Sequence, residues 1–194
     1  MATTSAASVA ASMLERAAVD GEPVSNLKLQ KLVTLVQSVS MFATSAPAFC
    51  EPVQAWKNGP AIKPLYGLYK RFGSDQITSV MQPWSGLESV SGSVGMMIDE
   101  VWDVAGKLSA SDLWKLTHTV GPWEAHYSAN TRDVEIPAEQ LGSAWTDYLS
   151  CALKMATPQD QSSVIGRGQL GYEGEHHWEF ASASFRPVSA RESA

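Results

Sequence analysis

Apolar residues recur at helical spacing through most of the first 156 positions, and this pattern predicts a chain built from helices. Residues 4–18 are alanine-rich, with Val9, Met13, Leu14 and Ala17 on one face. Asp20-Gly21-Glu22-Pro23 breaks that helix. Ser25 suits the N-cap of the next one, over residues 26–42. There Leu29, Leu32, Val33 and Val36 share a face that Leu35, Val39 and Phe42 widen. A helix apolar on most sides belongs at the centre of a fold.

Residues 45–60 carry Pro47, Pro52 and Pro60 and read as a connection, with "VQAW" as a short extended piece. Asn58-Gly59-Pro60 is a turn signal. Pro64 fits the first turn of a helix through Leu65, Tyr66, Leu68, Tyr69 and Phe72 that ends at Gly73. The clearest stripe follows: Leu87, Val90, Val94, Met97, Ile98, Val101, Trp102 and Ala105. Glu88, Asp99, Glu100 and Asp103 lie mainly off it, and Gly106 closes it. Ser109 to Asp112 has capping-box spacing and opens a short helix through Leu113, Trp114 and Leu116 into Thr117-His118. Gly121-Pro122 begins another helical turn carrying Trp123. Pro137 marks the last core helix, striped by Leu141, Trp145, Tyr148, Leu149, Ala152 and Leu153.

Beyond Ala156 the helical period stops, and four glycines fall within residues 166–174. Only "HHWEFASASF" alternates enough to suggest a strand. The expected architecture is all-α: a compact bundle of about six helices over residues 1–156, with an irregular, Gly-rich, mobile tail over residues 157–194.

The net charge is −6, which argues against direct nucleic-acid binding because such binding needs a basic face. The charge is uneven. Residues 28–73 hold six bases and one acid, whereas residues 74–156 hold eleven acids and four bases. Either each segment is solvated by its own charges, or the polarised surface meets a charged partner. No apolar run approaches the length needed to span a membrane. The N-terminus has no early Lys or Arg and no signal-peptide core, so it reads as mature sequence. Cys50 and Cys151 lack a CxxC partner and are expected as buried free thiols, which suits a reducing, cytoplasmic home.

Candidate chemistry concentrates in "WKLTHTVGPWEAHY", residues 114–127. His118 could act as a general base oriented by Glu124 or Asp112, but neither a GxSxG nor a Cys/His pairing supplies a nucleophile. In the structural alternative, Pro122 starts a helix, Trp123 buries its ring, and His118 satisfies backbone groups. His176 and His177 are adjacent and would point to opposite sides of a strand, with no further ligand set at known spacing. Gly166-Arg167-Gly168 lacks the flanking elements of a phosphate loop. Neither a metal nor a cofactor is expected. Lys28 and Lys31 share a helical face, to be solvated or to contact a phosphate or an acidic partner.

Three stretches together resemble the Panacea, or SocA-like antitoxin, domain, also called a phage-associated domain. The first is Lys28-Leu29-Gln30-Lys31-Leu32, followed by Ala55-Trp56 with Gly59-Pro60, then Tyr66, Tyr69, Lys70 and Gly73. The second is Gly106 followed by Leu113, Leu116, Thr117 and His118. The third is Thr117-His118 with Pro122-Trp123. Val33, Thr34, Leu35 and Ala105 stand where the family often has tyrosines.

The resemblance implies an antitoxin that neutralises a cognate toxin, encoded next to it, by direct binding. It also implies an alternative, an adaptor that delivers a toxin to an ATP-dependent protease. A hydrolase using His118 is the third reading. The resemblance gives Lys28, Gln30, Lys31, Trp56, Gly59, Pro60, Tyr66, Thr117, His118, Pro122 and Trp123 structural or partner-binding roles, with no catalytic one. Asp99, Glu100 and Asp103 are candidate toxin-facing acids, complementary to the basic sites of toxins that act on RNA or nucleotides.

Overall fold

The structure, a computed structural model, describes residues 4–83, 86–88, 90, 92–156, 176–181 and 184–189. Within them the chain forms eight α-helices and one 3-10 turn, with two short antiparallel hairpins. The all-α reading holds.

Helix α1, Ala6–Asp20, is capped by Ser5, whose side chain accepts from the Ser8 amide. Gly21 ends it in the left-handed conformation, at φ 69°. Helix α2, Asn26–Thr44, is capped by Ser25. It is the hub, in contact with α1 and with the later helices α3 (Lys63–Tyr69), α4 (Gly92–Ala105), α5 (Ala110–Thr119), α7 (Ala138–Ser143) and α8 (Trp145–Met155). Leu29, Leu32, Val33, Val36 and Val39 are all fully buried, as the pattern of that helix requires.

Between α2 and α3, strand β1 (Gln54–Trp56) pairs with β2 (Gly59–Ala61), with Trp56 opposite Gly59. The extended piece expected in "VQAW" is therefore present. The other edge of β1 is met by a later segment, through Ala55 N–H to the Val134 carbonyl and Ile136 N–H to the Val53 carbonyl, each at 2.8 Å.

Two boundaries differ from expectation. Helix α4 begins at Gly92, although the apolar stripe starts at Leu87. Ser and Gly are frequent in the sequence just before it, at Ser85, Gly86, Ser89 and Ser91, and these residue types are weak helix formers. The Glu88 amide is instead taken by the Ser8 hydroxyl at 2.9 Å. The last stripe is divided at Ala144 into α7 and α8. Gly142, just before the break, lets α7 close on α2, since a methyl added there would lie 2.7 Å from Met41 Cβ.

A third expectation fails on burial: Cys50 and Cys151 are free, but Cys50 is exposed and Cys151 half-buried. Phe49 takes the core position beside Cys50, at 1% exposure.

Strands β3 (His176–Ala181) and β4 (Ser184–Ser189) form the second hairpin, which meets the suggestion of a strand in "HHWEFASASF". Gly166-Arg167-Gly168 and the expected mobility of residues 157–175 lie outside the described residues. Among the described residues no helix is long and apolar enough to cross a membrane.

Candidate functional site

The motif residues from α2, the β1–β2 turn and α5 converge on one place. It is built outward from Lys31. This side chain is 1% exposed, in the middle of the hub helix. Its Nζ donates to the Asn58 carbonyl at 2.5 Å and to the Pro60 carbonyl at 2.8 Å. Among the described residues no carboxylate pairs with it, and burial lowers its pKa from 10.5 to about 7. A neutral amine still has two N–H groups, enough for both carbonyls.

Gly59 lies between those carbonyls at φ 88°. A methyl at this position would sit 2.5 Å from Lys31 Nζ and 2.8 Å from His118 Cε1. The glycine is thus required twice, for its backbone angle and for the close approach of two side chains.

Gln30 secures the next residues of the same connection. Its Oε1 accepts from the Ile62 amide at 2.8 Å, and its Nε2 donates to Asn26 Oδ1. Lys28 is 4% exposed and lies 3.9 Å from Glu22 and 6.0 Å from the Trp102 ring centroid. Burial lowers its pKa, and Glu22 partly opposes that. The solvated-face reading of Lys28 and Lys31 is therefore overturned. Both ammonium groups turn inward because carbonyls, a carboxylate and a ring face are there to receive them.

His118 covers the turn from outside. Its Nδ1 lies 2.6 Å from the Trp114 carbonyl, so that nitrogen carries a proton and donates. Its Nε2 is enclosed, near the Lys57 carbonyl but without a well-formed hydrogen bond among the described residues. Burial lowers its pKa and nearby Lys31 lowers it further, while the Trp114 and Lys57 carbonyls act to hold the proton. The imidazole lies between two indoles, stacked on Trp114 at 4.0 Å and tilted 51° to Trp123 at 3.9 Å, centroid to centroid. Thr117, fully buried, donates to the Leu113 and Trp114 carbonyls within its own helix.

Pro122 caps helix α6, Trp123–His126. The Trp123 ring is half-buried, and its Nε1 donates to the Trp56 carbonyl at 2.8 Å. Trp56 donates to Gln54 Oε1 and meets Tyr66 edge-on at 5.2 Å. Gly121, at φ 92°, brings this corner down onto α8, where a methyl would lie 2.0 Å from the Tyr148 hydroxyl.

The acids of α4 stand apart from this corner. Asp99 is exposed and ion-paired with Arg16. Glu100 is half-buried with its Oε1 enclosed and unpartnered among the described residues. Burial, and secondarily Asp103, raise the Glu100 pKa to about 8. Asp103 is half-buried. Neither Glu124 nor Asp112 has a hydrogen bond to His118 among the described residues; Asp112 is engaged with Ser109 and Lys115. Among the described residues no cluster of three or more His, Cys, Asp or Glu side chains could hold a metal ion.

Several members of this locus were not legible as such. Gln54 holds the Trp56 indole, and Tyr148 sits beneath Gly121, yet neither belongs to a recognisable motif. One signal was present in α2. Lys31, Thr34 and Ser38 recur at intervals of three and four, with Gln37 alongside, a polar seam along a helix that the fold buries.

Residues 29–124 match the family model "Antitoxin SocA-like, Panacea domain". That span holds the lysine-held turn and nearly all of the aromatic corner. No curated protein and no solved structure matches the chain.

Proposed function

Because the chain carries a SocA-like antitoxin Panacea domain over residues 29–124, we propose that it is the antitoxin of a toxin–antitoxin pair and neutralises its cognate toxin by direct protein–protein binding. The observation that carries this reading is the family match, whose motif residues meet at one turn. The place of action is the cytoplasm, and the partner is encoded beside this chain.

A non-catalytic role is supported by the surroundings of His118. A general base must present a nitrogen to the proton it removes. Here Nδ1 is spent on the Trp114 carbonyl and Nε2 is enclosed. The net charge of −6 supports a protein partner over a nucleic acid. Of the three candidate acids, Asp99 and Asp103 are proposed to complement a basic toxin surface, with Asp99 the more accessible; Glu100, its pKa raised to about 8 by burial, is uncharged at neutral pH and is left out of that surface.

The test is co-expression of this chain with each neighbouring gene product, in cells with and without their ATP-dependent proteases. Growth should be restored in both strains. Rescue confined to the protease-containing strain would replace direct neutralisation with the adaptor mechanism. Failure to rescue from any neighbouring product would remove the antitoxin reading.

A further inference from the structure

The aromatic corner carries more exposed ring surface than its packing uses. Trp114 and Tyr66 are 39% and 42% exposed. They are the two ends of one continuous run. Tyr66 meets Trp56, the Trp56 carbonyl receives the Trp123 indole, Trp123 meets His118, and His118 stacks on Trp114. Most members are already fixed, by the bonds from Trp56 to Gln54, Trp123 to Trp56, and His118 to Trp114. Rings held in place lose little conformational freedom when a partner covers them. Trp and Tyr also dominate interface energetics.

The chemistry of the run selects its occupant. Aromatic faces attract cations, guanidinium foremost among side chains, and indole is the best acceptor. The imidazole at the centre has a lowered pKa, so the stack holds no positive charge of its own at neutral pH. Two carboxylates lie close in sequence to Trp114 and Trp123. Glu124 is exposed next to Trp123, and Asp112, its pKa lowered mainly by the Ser109 hydroxyl, is ionised. Lys115 is offset by its pairing with Asp112 at 3.5 Å. Lys57 is exposed on the turn, and its carbonyl faces His118. The protein uses the same contact internally, with Arg71 over Phe72 at 4.9 Å and Lys28 over Trp102. Among the described residues no such cation covers Trp114 or Tyr66. The net charge of −6 draws a cationic segment towards the whole molecule.

We infer that the Tyr66–Trp56–Trp123–His118–Trp114 run docks an arginine-bearing segment of the partner protein, with a guanidinium on the free face of Trp114. The identity of that partner rests on the antitoxin reading; the chemistry of the surface does not.

The test uses the full chain, labelled for indole N–H detection, titrated with a capped peptide of alternating arginine and serine. Parallel titrations use the matching glutamate peptide and an oligouridylate. The arginine peptide should shift the Trp114 indole signal. Trp114→Phe should keep this binding, whereas Trp114→Leu, equally apolar but without a π face, should weaken it by about tenfold. Tyr66→Phe and Tyr66→Leu repeat the comparison at the other end. Equal binding by the Phe and Leu variants at both ends would overturn the proposal. So would tighter binding of the glutamate peptide or the oligouridylate at the same signal. The neighbour-encoded partner separates the two readings. If the wild type rescues growth and Trp114→Leu binds the partner as tightly as Trp114→Phe, this docking surface is wrong and the antitoxin stands. If the wild type rescues nothing, the antitoxin reading fails and the peptide titration still decides the surface.

Discussion

Two motif regions of this chain exchange the places that their residue types suggest. The lysines of "KLQKL" lie inside, at 4% and 1% exposure, while Trp114 lies outside at 39%. The difference is one of hydrogen-bond supply. Around Lys31 the turn leaves two carbonyls facing inward, and an amine with two or more N–H groups closes that account. Around Trp114 one ring face is used by His118, and among the described residues no other aromatic ring or cation meets the indole, which is 39% exposed. Burial followed the available partners, and hydrophobicity alone would have assigned both regions wrongly. The inner region therefore holds the fold, whereas the outer one is free to meet something else.

The sharpest way to break this contrast is Lys31→Ala. It opens a cavity and leaves the Pro60 carbonyl buried without a donor, so stability should fall by about 3 kcal/mol or more in chemical denaturation. A loss below about 1 kcal/mol would mean that the turn does not depend on the lysine. Trp123→Ala comes next. The ring is half-buried and its N–H holds Trp56, so about 2 kcal/mol should be lost. A melting temperature equal to that of the wild type would place Trp123 with Trp114 as surface.

Titration sharpens the inner region further, with a slope up to about 1.4 kcal/mol per pH unit from each group. The folded chain releases the Lys31 proton near pH 7, whereas the unfolded chain keeps it to about 10.5. Between these values the unfolded state binds more protons, so this group makes stability rise with pH. Glu100 acts the other way. Its pKa is raised from 4.5 to about 8, so the folded state binds more protons in that window and stability falls as pH rises through it. Relative to the wild type, Glu100→Gln should gain stability from pH 5 to pH 8. Denaturation at both pH values decides this; no gain at pH 8 would show that the carboxyl is solvated.

The smallest expected change belongs to Trp114→Ala. Its stability should stay within about 0.5 kcal/mol of the wild type, because much of the ring already faces solvent. A large loss would return the outer corner to a structural role.

Much of the fold was legible because helical periodicity and caps are local signals. Ser25, Ser109 and Gly21 act where their residue types indicate. The start of α4 was not legible, since the Glu88 amide is claimed by Ser8 from 80 residues away. The motif residues of the site could be named, but not their direction. Whether Lys31 faces water depends on carbonyls at Asn58 and Pro60, and whether His118 is a base depends on the Trp114 carbonyl and the two indoles. Those contacts join segments distant in sequence, and periodicity along one helix carries no information about them.

The most direct measurement is co-purification of this chain with the product of its neighbouring gene, made in cells lacking ATP-dependent proteases, followed by titration calorimetry of the separated proteins. The expected result is a stable complex whose affinity weakens as salt rises, since exposed charges are screened beyond about 10 Å at roughly 0.1 M salt. Absence of any complex with a partner that this chain nonetheless silences in protease-containing cells would contradict direct neutralisation.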